Sequence, residues 1–259
     1  MTDDVRLQFD VACALGLLAP EDQLPFSFPG QLNIDGRPTQ ILTDCVDPAS
    51  YSRTSCRIRS NLPEDSPYHL YIGNDKLTLA SGGSIFVGGS GVTVQLYDPS
   101  LDRRFALKAP RVSVLAYDIP TLLLDEAHLE KRINSEYRAF ETERHISRRL
   151  FHQHIAQHFY GSSKQLQFPD KPGLRPQLPY SVSEWIEGAQ KLHEFILNSD
   201  LTAQQIVQLL YDTFSALSHV HSQQVIHWDL KSDNVLVSSE GLVKSASTAR
   251  TCSAWACCR

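Results

Sequence analysis

The chain has 259 residues, 42% of them hydrophobic, and a formal net charge of −5. That length and apolar content suit a folded protein with a sizeable core and exclude a wholly disordered chain. A mildly acidic balance argues against general nucleic-acid binding, which needs a basic stripe, and no run of about 18 apolar residues occurs, so no membrane span is expected.

In chain order, Val5–Leu18 (VRLQFDVACALGLL) predicts one amphipathic helix, and the acidic start Met1-Thr2-Asp3-Asp4 does not read as a secretory signal. The stretch after it is rich in Pro, Asp, Ser and Gly and predicts loops with short strands. Residues 1–75 carry no recognisable chemistry and are expected to be an accessory region packing on the rest of the chain. From Lys76 the pattern sharpens. Leu77–Leu79, Ile85–Val87, Val92–Tyr97 and Arg104–Lys108 are β-type runs separated by Gly88-Gly89-Ser90-Gly91 and Asp98-Pro99-Ser100, which predicts a hairpin-rich antiparallel sheet. Ala127–Phe151 is charged and free of Pro and Gly, and predicts a long helix. Lys164–Pro179 holds four prolines and a glycine and predicts an exposed hairpin insertion. Tyr180–Ile186 is strand-like. Leu201–His221 predicts a second helix, N-capped by Thr202, with Ile206, Leu209, Leu210, Phe214, Leu217 and Val220 on one face. A sheet with one long helix followed by a mainly helical part makes the fold class α+β, in two lobes.

Of the six cysteines, Cys13, Cys45 and Cys56 are scattered, and Cys252, Cys257 and Cys258 crowd the end. Neither set has paired zinc spacing, and a chain of this length needs no disulfide staples. A reducing, cytoplasmic compartment is therefore expected. His152, His154 and His158 fit no common zinc framework either.

The most specific string is His227-Trp228-Asp229-Leu230-Lys231-Ser232-Asp233-Asn234, which directly follows the second helix and has apolar runs on both sides. It resembles the catalytic loop of protein kinases, H-R-D-L-x-x-x-N, at every fixed place except the one where Trp228 replaces arginine. The resemblance implies ATP and Mg2+ as cofactors. It implies that the Asp229 carboxylate accepts or orients the proton of the attacking hydroxyl, and that Asn234 holds a magnesium ion bridging the nucleotide phosphates. Lys231 would neutralise charge on the transferring γ-phosphoryl, and a lysine there is the serine/threonine-type choice. His227 would be structural.

The same resemblance extends upstream. Gly88, Gly89 and Gly91 align with the glycine-rich loop whose backbone N–H groups cover phosphates, although Phe86 stands at the first glycine and Thr93 at the valine. Phe105-Ala106-Leu107-Lys108, fifteen residues after Thr93, resembles the V-A-I-K strand whose lysine pairs with the α/β-phosphates. That lysine needs a carboxylate from the helix. Glu143 is the choice, because Leu150, His152 and Ile155 follow it in the family's helix-exit order; Glu141 is the fallback. Val182-Ser183-Glu184-Trp185-Ile186 resembles the hinge strand. The backbones of Glu184 and Ile186 would pair with the adenine edge, and an ordinary strand without ligand is the alternative.

Three departures stand against the family pattern. Trp228 cannot pair with a phosphorylated activation loop as arginine does. No D-F-G follows Val243-Lys244: the chain reads Ser245-Ala246-Ser247-Thr248-Ala249-Arg250, with Ser247 about where a magnesium-binding aspartate belongs. Residues 245–259 are small, Cys-rich and patternless, resembling a shifted reading frame. The kinase resemblance thus covers 76–244 of a domain read as 76–259, with an incomplete C-lobe. The apolar faces of the second helix are then expected to stay bare and to favour a partner or aggregation.

The function expected is ATP-dependent transfer of the γ-phosphate to a protein Ser or Thr hydroxyl, with impaired turnover. The alternatives are a catalytically dead pseudokinase-like binding module and a small-molecule phosphotransferase of the aminoglycoside-kinase type, against which Lys231 and the Ala-Leu-Lys strand argue.

Overall fold

Period-two burial builds the first part of the molecule. Along Gly91–Asp98, Val92, Val94 and Leu96 are buried, and along Arg103–Pro110 the buried residues are Phe105, Leu107 and Ala109. Alternation of this kind sends successive side chains to opposite faces of a sheet. The structure is a computed structural model. It describes residues 3–20, 25–27, 31–34, 37–44, 53–59, 68–79, 83–88, 91–113, 126–167, 175, 177–227, 230–245 and 249–250. These belong to two units, one of Met1–Arg138 with Tyr160–Val182, the other of Ala139–Phe159 with Ser183–Arg259.

The first unit opens with helix α1 (Asp3–Gly16), followed by β1 (Phe26–Ser27), β2 (Gln31–Ile34), β3 (Arg37–Asp44), β4 (Arg53–Arg59), β5 (His69–Ile72), β6 (Asp75–Leu79), β7 (Ser84–Gly88), β8 (Gly91–Asp98) and β9 (Arg103–Pro110). Helix α2 (Glu126–Ser147), β10 (His158–Gln165) and β11 (Gln177–Glu184) come next. The main path of the sheet runs β1-β2-β3-β4-β7-β8-β9-β11-β10. β9 occupies one edge of β8 along its whole length. β7 and then β6 share the other edge, pairing at Val92–Val94 and at Leu96–Tyr97. β3 and β4 both precede residue 75 and join this sheet through the β4–β7 pairing.

The β8–β9 turn is fixed locally. The Asp98 carboxylate accepts from the Ser100 N–H at 2.8 Å, the Ser100 hydroxyl at 2.6 Å and the Leu101 N–H at 3.3 Å. A short side chain capping its own turn in this way is why Asp-Pro-Ser punctuates strands.

α1 departs from the expected amphipathic pattern. Phe9 through Leu18 are all buried, so the helix has no solvent face over that stretch. The cause is Asp10, the one charged residue there: its carboxylate is satisfied internally by Arg111 and Ser113 and does not require water. The expected loop Lys164–Pro179 is also narrower than its prolines suggest. β10 continues to Gln165, β11 starts at Gln177, and Leu166 and Leu178 are buried.

In the second unit, β12 (Gln190–Lys191) leads into helices α3 (Leu192–Asn198) and α4 (Ala203–Ser222). Thr202 caps α4 reciprocally. Its hydroxyl accepts from the Gln205 N–H at 3.3 Å, and the Gln205 side-chain oxygen accepts from the Thr202 N–H at 2.9 Å. Ala216 and Val220 of α4 pack with Ile146, Leu150, Ile155 and Val225. Leu209 packs with Val235, Val237 and Val243. The face predicted for this helix is thus split. Leu209 and Val220 are buried, whereas Leu210 and Phe214 are exposed beside Val207 and Tyr211. The helix is apolar on two sides, and the described residues cover one of them.

The remaining elements are short: β13 (Ile226–His227), a 3-10 turn at Ser232–Asn234, β14 (Val235–Val237), β15 (Val243–Ser245) and β16 (Ala249–Arg250). They form the sheets β12-β14-β15 and β13-β16. Gly188, at φ +59°, lies against the β14–β15 turn, where a Cβ would come within 2.9 Å of the Ser239 Cβ. Among the described residues no helix is long and apolar enough to cross a membrane.

Candidate active site

In the first unit, Gly88 ends β7 and Gly91 begins β8, while Gly89 lies outside the described residues. Gly91 is the position with a steric demand. A Cβ there would stand 3.0 Å from the Ala109 carbonyl oxygen and 3.6 Å from the Lys108 Cε. At Gly88 the nearest atom would be 3.7 Å away, an ordinary contact. Lys108 is half-buried in β9 opposite Thr93, and its aliphatic stem runs along the surface that the missing Gly91 side chain leaves open. The strand register therefore brings together Gly91 and Lys108, two of the residues picked for phosphate contact.

In the second unit, Glu143 sits half-buried in the last turns of α2, ahead of Ile146, Leu150 and Ile155, which enter the core. The fallback Glu141 is hydrogen-bonded to Arg144. Glu184 uses its N–H to donate to the Gln157 carbonyl at 2.8 Å. Its carboxylate accepts from the Gln157 N–H at 3.1 Å and holds the Lys244 ammonium at 3.0 Å. The side chain of Glu184 is thus a strut between the loop after α2 and β15, a role its sequence position did not reveal. The Ile186 carbonyl accepts from the Ala189 N–H at 3.3 Å.

Of the catalytic-loop residues, Asp229 and Trp228 lie outside the described residues. Lys231 is exposed and precedes the 3-10 turn, which closes by donation from the Asn234 N–H to the Lys231 carbonyl at 2.9 Å. Asn234 is half-buried at the entry to β14. Two strand registers bracket the stretch after Lys244. Ser245 pairs with Val235, the residue after Asn234, and Ala249 pairs with His227, two residues before Asp229. The residues between these two pairings, Ala246-Ser247-Thr248, lie outside the described residues.

A buried histidine supports this arrangement. The Val243 carbonyl can only accept, so His154 donates from Nδ1 at 3.1 Å, and its Nε2 lies 3.0 Å from the Gln153 amide nitrogen. The Asp212 carboxylate of α4 lies 3.4 Å from the same ring. His158, also buried, has its pKa lowered from 6.5 to about 4 by desolvation first and then by Arg148 and Arg144.

The sequence profile of the protein kinase domain matches residues 88–246, more than half of the chain. The chain belongs to the protein kinase family. Its kinase relatives are of the serine/threonine type. The serine/threonine-protein kinase CLA4 of Candida albicans is 40% identical over 65 residues, 24% of this chain and 7% of the relative. The probable serine/threonine-protein kinase PknB of Bifidobacterium longum is 30% identical over 106 residues, 40% of this chain and 15% of the relative. The serine/threonine-protein kinase PAK 5 of Rattus norvegicus is 36% identical over 63 residues, covering 24% of this chain and 9% of the relative. The chain therefore matches only a small part of each relative's length.

Kinases act on ATP with Mg2+, and the two requirements meet different donor sets here. For the phosphates, a glycine at 91 with the Lys108 stem beside it fits. For the metal, Asn234 would offer one carboxamide, and residues 245–250 contain no carboxylate. Arg111, which donates to the Gly88 carbonyl, and Asp10, which pairs with Arg111, did not stand out in the sequence. The available signal was a lone aspartate inside the apolar run QFDVACALG, since a charge in such a run is paired in the fold.

Proposed function

We propose that this kinase-family chain binds ATP between the Gly88–Gly91 loop and Lys108, and transfers the γ-phosphate only slowly to a protein Ser or Thr hydroxyl. The observation carrying the reading is the Lys108 stem lying along Gly91, because backbone stripped of a side chain next to a cation is what a phosphate needs. In this reading Lys108 pairs with the α/β-phosphates and Glu143 holds Lys108. The Glu184 and Ile186 backbones take the adenine edge. Asp229 orients the hydroxyl and takes its proton, and Lys231 offsets charge on the moving phosphoryl group. Bound Mg2+ would supply charge neutralisation at the phosphates, with Asn234 as a ligand. Slow turnover follows from the missing carboxylate after Lys244. We also place the protein in the cytoplasm, on cysteines without paired spacing.

The same absence favours a second reading, a pseudokinase-like module that binds nucleotide without turnover. Binding of a fluorescent ATP analogue, with and without Mg2+, and phosphate transfer to a generic protein substrate separate the two. Lys108→Ala is expected to weaken ATP binding by about tenfold or more. Residual transfer that disappears in Asp229→Asn supports the enzyme; nucleotide binding with no transfer supports the module. A chain that binds no ATP would sink both.

A further inference from the structure

We propose that α1 positions the glycine loop, with Arg111 as the connecting residue. Asp10 of α1 is fully buried and its two carboxylate oxygens are shared among three donors: Arg111 Nε at 2.8 Å, the Ser113 N–H at 2.8 Å and the Ser113 hydroxyl at 2.5 Å. The same guanidinium turns its Nη1 to the Gly88 carbonyl at 3.1 Å. Gly88 is where β7 stops pairing with β4, opposite Arg53, and where the loop begins. At the far end of the loop, Gly91 pairs with Pro110, the residue before Arg111. One planar fork thus ties a helix at the start of the chain to the near end of the loop, right beside the strand end that holds its far end. A guanidinium can serve both partners because its donors point in fixed, divergent directions.

The inference rests on reading this loop as the phosphate cover. It adds that the segment before residue 75 sets how well the loop is held in place before nucleotide arrives. A loop held beforehand loses less freedom on binding, so the contact acts on affinity for phosphate rather than for adenine. Arg111 and Asp10 are positioning residues, since neither is proposed to touch nucleotide.

Arg111→Lys is the discriminating variant. It keeps a cation beside the buried carboxylate, so the fold retains its charge pair, but one ammonium cannot reproduce the two-way fork. Ser113→Ala serves as the control, because it removes a donor to Asp10 and leaves the arm to Gly88. In the full chain without nucleotide, hydrogen exchange over residues 86–94 should quicken in Arg111→Lys and not in Ser113→Ala, while residues 103–107 stay protected in both. ATP affinity should fall about tenfold in Arg111→Lys with adenosine affinity unchanged. Unchanged exchange over 86–94 would overturn the anchor. Faster exchange with equal loss of ATP and adenosine, or with no loss of either, would overturn its effect on phosphate binding. If the unmodified chain binds no ATP, the kinase reading of the loop fails, and the exchange result still decides whether α1 holds it.

Discussion

The glycine-loop region and the catalytic-loop region are built to different standards. Around Gly91 the described residues are closely packed. β8 and β9 pair from end to end, the Lys108 stem passes beside Gly91, and Arg111 donates to the Gly88 carbonyl. Around Asn234 the framework is equally ordered, with the 3-10 turn closed, β14 paired with β15, and His154 and Glu184 holding β15 from two sides. The framework there nevertheless carries serine, threonine and alanine where the family places its second metal ligand. Strand pairing and burial of this kind do not depend on whether a carboxylate follows in the sequence.

The largest effect should come from restoring that chemistry. Ser247→Asp is expected to raise phosphate transfer at least tenfold with Mg2+ present, the scale on which metal-site partners act. No gain in a radiolabelled phosphate-transfer assay would mean that more than one carboxylate separates the two regions in competence. On the nucleotide side the vulnerable point is the buried charge. Asp10→Ala leaves the Arg111 guanidinium without its carboxylate and should cost about 3–5 kcal/mol in urea denaturation. A loss under about 1 kcal/mol would show that α1 is dispensable to the sheet.

The second unit should instead be the acid-sensitive one. The folded-state pKa of His158, about 4, lies below its usual 6.5, so between those values the unfolded chain binds the extra proton. Stability should therefore fall as pH drops from 6.5 towards 4 and stop falling through this group below that. His158→Phe should flatten that slope in denaturation curves; an unchanged slope would assign the acid sensitivity elsewhere. The smallest effect is the cap of α4. Thr202→Ala should cost about 1 kcal/mol by thermal unfolding while leaving ATP binding alone.

Much of this was legible beforehand, for identifiable reasons. The β7–β9 strands, the turn at Asp98 and the Thr202 cap all follow from residues within a few positions of one another. The resemblance to a kinase catalytic loop was legible because that chemistry demands residue types at fixed spacing. Two expectations about faces were revised by long-range packing. α1 buries the side on which Asp10 sits, and α4 leaves Leu210 and Phe214 outside its described contacts, although an apolar tally gave them the same standing as Leu209.

By itself the sequence determined the local elements, the family and the absence of a carboxylate after Lys244, because period, capping and motif spacing are properties of neighbouring residues. Only the tertiary structure decided that Asp10 would meet Arg111, 101 positions away, that Glu184 would brace Lys244, and that a side chain would be crowded at Gly91 and not at Gly88. Those outcomes depend on which surfaces are brought together. A buried charge states that it needs a partner and does not name one until the chain has closed around it.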